Sequence, residues 1–304
     1  MTISSRLYAS AKTNLESESF ILPLLFVLLY GSGFVGAKYG LPYCPPLTFL
    51  VLRFLIAASV AVMIALAIDA PWPETRKEAL NIAIAGCLTV GVFSAGVFVA
   101  ISVGLSPALA ALIIALQPIL VATVARKMLG ERLSYSQWTG LAFGLVGVAF
   151  VVSHKLSFNS THLFGLAMAV FALLGLGFGN IYQKRNCSRM NVFTGGAIQS
   201  CASMLMTLPF AYSFETMNVT WTPQFMSALA YMSIGVSIGA LSLLYIMIGR
   251  GEVSRVASIF YLVPVSAAIV SYILYNEKID LQVAIGIAII SLGVILANRF
   301  PKGK

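Results

Sequence analysis

The tightest constraint on this chain is that one of its stretches occurs twice. Residues 104 to 152 read GLSPALAALIIALQPILVATVARKMLGERLSYSQWTGLAFGLVGVAFVV, and residues 251 to 298 read GEVSRVASIFYLVPVSAAIVSYILYNEKIDLQVAIGIAIISLGVILAN. A shift of 146 positions carries Pro118 onto Pro264, Glu131 onto Glu277, Arg132 onto Lys278, Gly140 onto Gly286 and Gly147 onto Gly293. Each copy is an apolar run with a proline near its middle, then a short charged turn, then a second apolar run carrying glycines. Such a unit is a pair of helices suited to lipid, and the chain contains it twice.

Composition extends that reading to the whole length. Only 10% of the 304 residues are charged and 59% are hydrophobic, whereas about a quarter of a soluble domain is charged. Apolar runs of roughly 20 residues recur throughout, the length a helix needs to cross a hydrocarbon core of about 30 Å. The net charge of +9 comes from basic residues placed between those runs rather than on an aqueous face, so no nucleic-acid partner is indicated. Cys44, Cys87, Cys187 and Cys201 have no metal-ligand spacing, so neither a metal site nor a disulfide framework is expected. No cofactor is called for.

The expected fold class is an all-α integral membrane protein with ten transmembrane helices. They are placed near 20 to 39, 46 to 68, 79 to 100, 106 to 127, 134 to 153, 163 to 182, 192 to 212, 224 to 248, 253 to 274 and 280 to 298. Residues 1 to 19 form an N-terminal tail, 20 to 153 the first repeat, 154 to 162 a linker, 163 to 298 the second repeat and 299 to 304 a C-terminal tail. Fifteen of the nineteen Lys and Arg residues fall on one side of this arrangement and three on the other, with Arg53 inside a span. By the positive-inside rule both termini are cytoplasmic, and the linker is outside. Five spans per half is an odd number, so the second half enters the bilayer upside down. Two inverted five-helix repeats are a signature of transporters, in which exchanging the conformations of the halves moves a cavity from one face to the other.

The residues also carry a family pattern. Tyr30-Gly31-Ser32-Gly33-Phe34, Pro45-Pro46-Leu47-Thr48-Phe49 with Arg53 following, Leu116-Gln117-Pro118, Leu129-Gly130-Glu131-Arg132-Leu133 and the glycine-spaced closing helix resemble the EamA family of the drug/metabolite transporter superfamily. The similarity covers residues 20 to 298. It implies a ten-helix bundle around a central cavity, export of small metabolites such as amino acids, and a bacterial inner membrane. It also assigns the aromatics Tyr30, Phe34, Phe93, Phe98, Tyr182, Tyr231 and Tyr245 to spans that wall the cavity, although lipid or core packing accounts for each of them equally well. Tyr30 stands where the family usually has tryptophan, and Asn276 replaces the usual glycine of the second turn.

Individual side chains narrow the site. Pro118 and Pro264 each remove an amide hydrogen near the middle of a span and free a carbonyl four residues back, on Ile114 and Phe260. Matching interruptions in two halves point to a binding site, so Gln117, Ser258 and Tyr261 beside them are expected to face it; two packing kinks are the alternative. Arg53 lies about 12 Å deep if its helix is regular. Either it holds a substrate carboxylate through its guanidinium, or it bonds backbone carbonyls or snorkels outward. Glu131 and Glu277 precede the fifth and tenth spans, where the helix dipole favours a carboxylate in a structural role. Glycines 140, 144, 147, 286 and 293 form small-residue faces for packing within the bundle or for a homodimer.

No Asp, Glu or His falls in the middle of a span, so proton antiport through an embedded carboxylate is not expected. The expected function is therefore an inner-membrane exporter of small metabolites, amino acids or related compounds first. Exchange or import of another metabolite such as a nucleoside is the alternative. A lipid-modifying membrane enzyme is disfavoured, because paired embedded carboxylates, a metal cluster and a nucleophile with a base are all missing from the sequence.

Overall fold

Lipid offers a spanning backbone two ways to satisfy its own amides, the helix and the closed barrel. Among the described residues every regular element is helical. The computed structural model describes residues 3–128, 134–152, 160–250, 256, 259–275 and 281–298. The helices are α1 (Ile3–Gly40), α2 (Pro46–Ala67), α3 (Arg76–Ser102), α4 (Pro107–Ile114), α5 (Gln117–Met128) and α6 (Tyr135–Val152), followed by α7 (Ser160–Asn186), α8 (Val192–Phe214), α9 (Pro223–Gly249), α10 (Val263–Tyr275) and α11 (Leu281–Asn298). Helix lies within each of the ten expected segments, and five helical stretches are long and apolar enough to cross a membrane: Ile21–Tyr43, Pro46–Ala67, Arg76–Ser102, Thr161–Asn186 and Pro223–Gly249.

The helices start where the sequence supplies acceptors for the orphan amides of a first turn. Thr75 and Glu78 form a reciprocal capping box at α3. Ser106 caps α4, Asn191 caps α8 and Thr222 caps α9. α2 is capped from a distance. The Glu215 carboxylate, just past α8, accepts from the amides of Leu47 and Thr48 at 2.8 and 2.7 Å and from the Thr48 hydroxyl at 2.7 Å. Cys44 is buried near this cap, and burial first, then the Glu215 charge, push its thiol up to about 12.

Exchanging the halves leaves the packing pattern unchanged. α2 packs on α8, and α6 on α11 in the most extensive helix contact of the molecule. α1 packs on α9 and α10, while α7, its counterpart, packs on α3 and on α4 and α5. The glycine faces serve this arrangement within the chain. A Cβ on Gly293 would lie 2.7 Å from the Gly140 carbonyl oxygen and 2.8 Å from the Gly144 amide nitrogen, so α6 and α11 approach backbone to backbone.

The two prolines divide their spans rather than bend them. α4 ends at Ile114, Ala115 and Leu116 form a turn, and α5 restarts at Gln117 with Pro118 in its first turn, where a missing amide costs no bond. The related site has a 3₁₀ turn over Ile259–Leu262 and then α10, with Pro264 again in the first turn. Glu131 and Glu277 lie outside the described residues.

Substituting Glu215→Ala strips α2 of three hydrogen bonds to a carboxylate. We expect a loss of about 2 kcal/mol, read as a lower melting temperature of the purified protein, with Glu215→Gln closer to the parent. An unchanged melting temperature for Glu215→Ala would contradict this account of the cap.

Candidate solute cavity

A narrow cavity, with about 30 Å³ of internal space, opens between α1, α2, α3 and α9, so both halves build its wall. α1 contributes Tyr30, Gly33 and Phe34; α2 contributes Arg53. Thr89, Phe93, Ser94, Val97 and Phe98 come from α3, while Met232 and Val236 come from α9. Both α3 and α9 loosen where they face it. Cys87–Val92 and Tyr231–Ala240 are π-helical, a winding that shifts carbonyls out of the regular ladder and recurs at functional sites.

That winding gives Arg53 its partners. Arg53 is only 4% exposed, and its Nε donates to the Met232 carbonyl at 3.2 Å and to the Ser237 hydroxyl at 2.8 Å, both in the π segment of α9. Its carbon sits 5.8 Å from the Phe98 ring centroid and 5.9 Å from that of Phe54. Among the described residues the terminal nitrogens have no hydrogen-bond partner and no carboxylate faces them. Related by the repeat, Gln199 takes another role: its amide nitrogen donates to Gln183 Oε1 at 2.7 Å, and α3 approaches it through Gly86.

The opposite wall is aromatic. Tyr30 stacks on Phe93 with centroids 5.8 Å apart and the planes 20° from parallel, and Phe34 meets both rings edge-on. Behind Tyr30 stand Phe26 and Phe260, at 4.9 and 5.2 Å. The Tyr30 hydroxyl is buried without a partner.

Five of the expected site residues, Tyr30, Phe34, Arg53, Phe93 and Phe98, thus share one cavity. Tyr245 lines a second, smaller space between α2, α8 and α9, to which Ser237 also opens. Gln117 is fully buried with both amide atoms unpartnered, and it is not among the residues lining either cavity. Tyr261 is also fully buried; its hydroxyl donates to the Leu141 carbonyl at 3.2 Å and its ring fills the space a Cβ of Gly144 would need. Tyr182 bonds Asn81 and Tyr231 bonds Ser32, each tying helices together. Ser258 lies outside the described residues. The proline breaks stand behind the wall of the main cavity, where Phe260 backs Tyr30 and α10 touches α1 at Gly31, whose Cβ would lie 2.6 Å from that of Ser266.

Sequence reasoning missed the π segments and the Glu215 cap. One signal for the former is present: Thr89-Val90-Gly91-Val92 and Ser233-Ile234-Gly235-Val236 repeat a hydroxyl, an apolar residue, a glycine and a valine.

Tyr30→Phe removes a hydroxyl that the fold leaves unpartnered. Its melting temperature is expected to match or exceed the parent's, since losing a buried unsatisfied group relieves a cost of about 1–3 kcal/mol. A drop of several degrees would mean that the hydroxyl has a structural partner.

The profile of the EamA-like transporter family matches residues 19–153 and again 163–299. The chain is 26% identical over 300 residues to "Uncharacterized transporter YvbV" of Bacillus subtilis, covering 95% of this chain and 94% of that one. It is 25% identical over 290 residues to "Probable amino-acid metabolite efflux pump" of Escherichia coli, covering 91% and 93%. One crystal structure superposes with a TM-score of 0.75 over 92% of this chain and 97% of its own, at 21% identity, a likeness of fold. With both halves matched in succession, this is a multi-pass membrane protein belonging to the EamA-like transporter family.

Proposed function

We propose that the protein is a ten-span carrier of the bacterial inner membrane, with two inverted five-helix halves and both termini cytoplasmic, that exports small metabolites by alternating access. Amino acids and related compounds are its first candidate cargo. The observation that carries this reading is the cavity itself. It combines a buried guanidinium, an unpartnered tyrosine hydroxyl and an aromatic wall, and it lies between elements of both halves.

A hollow whose walls come from both repeats changes access when the repeats rock against each other. Helices α1 and α7 each pack on two elements of the opposite half or its equivalent, which gives such rocking a symmetric bearing. The fifteen basic residues on one side support cytoplasmic termini. An inner-membrane location also agrees with a relative of the chain, "Uncharacterized inner membrane transporter YedA" of Escherichia coli, 24% identical over 284 residues. The E. coli efflux pump at 25% identity supports amino-acid metabolites as the place to begin.

Purified protein in liposomes, offered each amino acid, a set of amino-acid derived acids and several nucleosides in turn, is expected to carry at least one of them. That flux should exceed protein-free vesicles and fall about tenfold or more in Arg53→Ala, the size of one lost charge-assisted contact. Flux no faster than in empty vesicles across the whole panel would overturn the carrier reading.

A further inference from the structure

The cavity offers one sign of charge. Arg53 is held at its back edge, Nε to Met232 and Ser237, so its outer fork is left for something else. A planar fork with two free donor groups matches the two oxygens of a carboxylate, and pairing would compensate a charge otherwise buried without a counter-ion. The Tyr30 hydroxyl, buried and unpartnered in the same cavity, is a further donor for such a group.

Nothing comparable awaits a cation. The lining residues include no Asp or Glu. Aromatic faces also attract ammonium groups, but Tyr30 and Phe93 cover each other and Phe98 already lies under Arg53, which leaves Phe34 as the ring not so engaged. An α-ammonium beside a bound carboxylate would sit next to the guanidinium, with the Thr89 and Ser94 hydroxyls as neutral acceptors and no carboxylate in the lining to oppose its charge. Burial without a counter-charge is costly, so a free amine is penalised there. Because the repeat places Gln199, already bonded to Gln183, where Arg53 has its counterpart, the anion site occurs once.

We propose that this cavity selects monocarboxylates with a compact apolar or aromatic body and discriminates against the matching zwitterions and amines. The inference rests on the carrier reading and narrows its cargo to amino-acid derived acids that lack a free ammonium group. The body of such a solute would meet the apolar side chains Val97, Phe34 and Val236 that line the cavity.

The test uses three probes with one skeleton: 3-phenylpropionate, L-phenylalanine and 2-phenylethylamine. Titration calorimetry of the full-length purified protein is expected to give the acid an affinity about tenfold or more above phenylalanine, with no binding of the amine. Arg53→Gln should weaken the acid by a further tenfold or more and erase the difference between acid and zwitterion. If Arg53→Gln does not fold, Tyr30→Phe serves, with a several-fold loss for the acid. Equal or tighter binding of phenylalanine or the amine overturns the proposal, as does failure of all three to bind. In either case flux of some other solute in the liposome panel leaves the carrier reading standing; absence of all flux removes both.

Discussion

A guanidinium inside a membrane must be held, and the way this chain holds Arg53 organises the molecule around it. α2 belongs to the first half and the π segment of α9 to the second, so the Arg53 contacts to Met232 and Ser237 join the two repeats through a charged side chain. Met232 and Ser237 both lie in the π-helical stretch Tyr231–Ala240, which borders the cavity beside α1 and α3. Charge, backbone irregularity and cavity are therefore one feature: lipid tolerates irregular backbone only where protein or water takes up the loose ends.

Around that feature the halves are equivalent in packing and unequal in chemistry. Helix pairs map onto one another when the repeats are exchanged, down to the interrupted spans at Ala115–Leu116 and Ile259–Leu262. Arg53 and Gln199 break the equivalence: one faces the cavity unpaired, the other closes a glutamine pair. Symmetric packing lets two conformations be nearly equal in energy, while on the proposed reading the single asymmetric side chain, Arg53, sets what is bound.

Much of the architecture was legible because it rests on local chemistry. The 146-residue repeat, the glycine faces and the interrupting prolines are written in residue type and spacing. Arg53 stood out as the one charge well inside a span. Less of the site was legible, for physical reasons. A buried tyrosine and a lipid-facing one have the same sequence signature, so Tyr30 and Tyr261 could not be separated until their neighbours were known: one hydroxyl is unpartnered in a cavity, the other is spent on Leu141. Pro118 and Pro264 stand in the first turns of α5 and α10, and the breaks before those helices lie behind the cavity wall. Glu215 was invisible as a cap because it acts on α2 across 168 positions.

The central claim is that the space between α1, α2, α3 and α9 is wet and reachable by solute. With the four native cysteines replaced, Val97→Cys places a thiol on the cavity wall and Phe26→Cys places one behind it, where the native side chain has no exposure. A small water-soluble methanethiosulfonate should modify the cysteine at 97 rapidly and spare the one at 26. Equal inertness of the two positions would mean that the interior is dry, and would contradict the account.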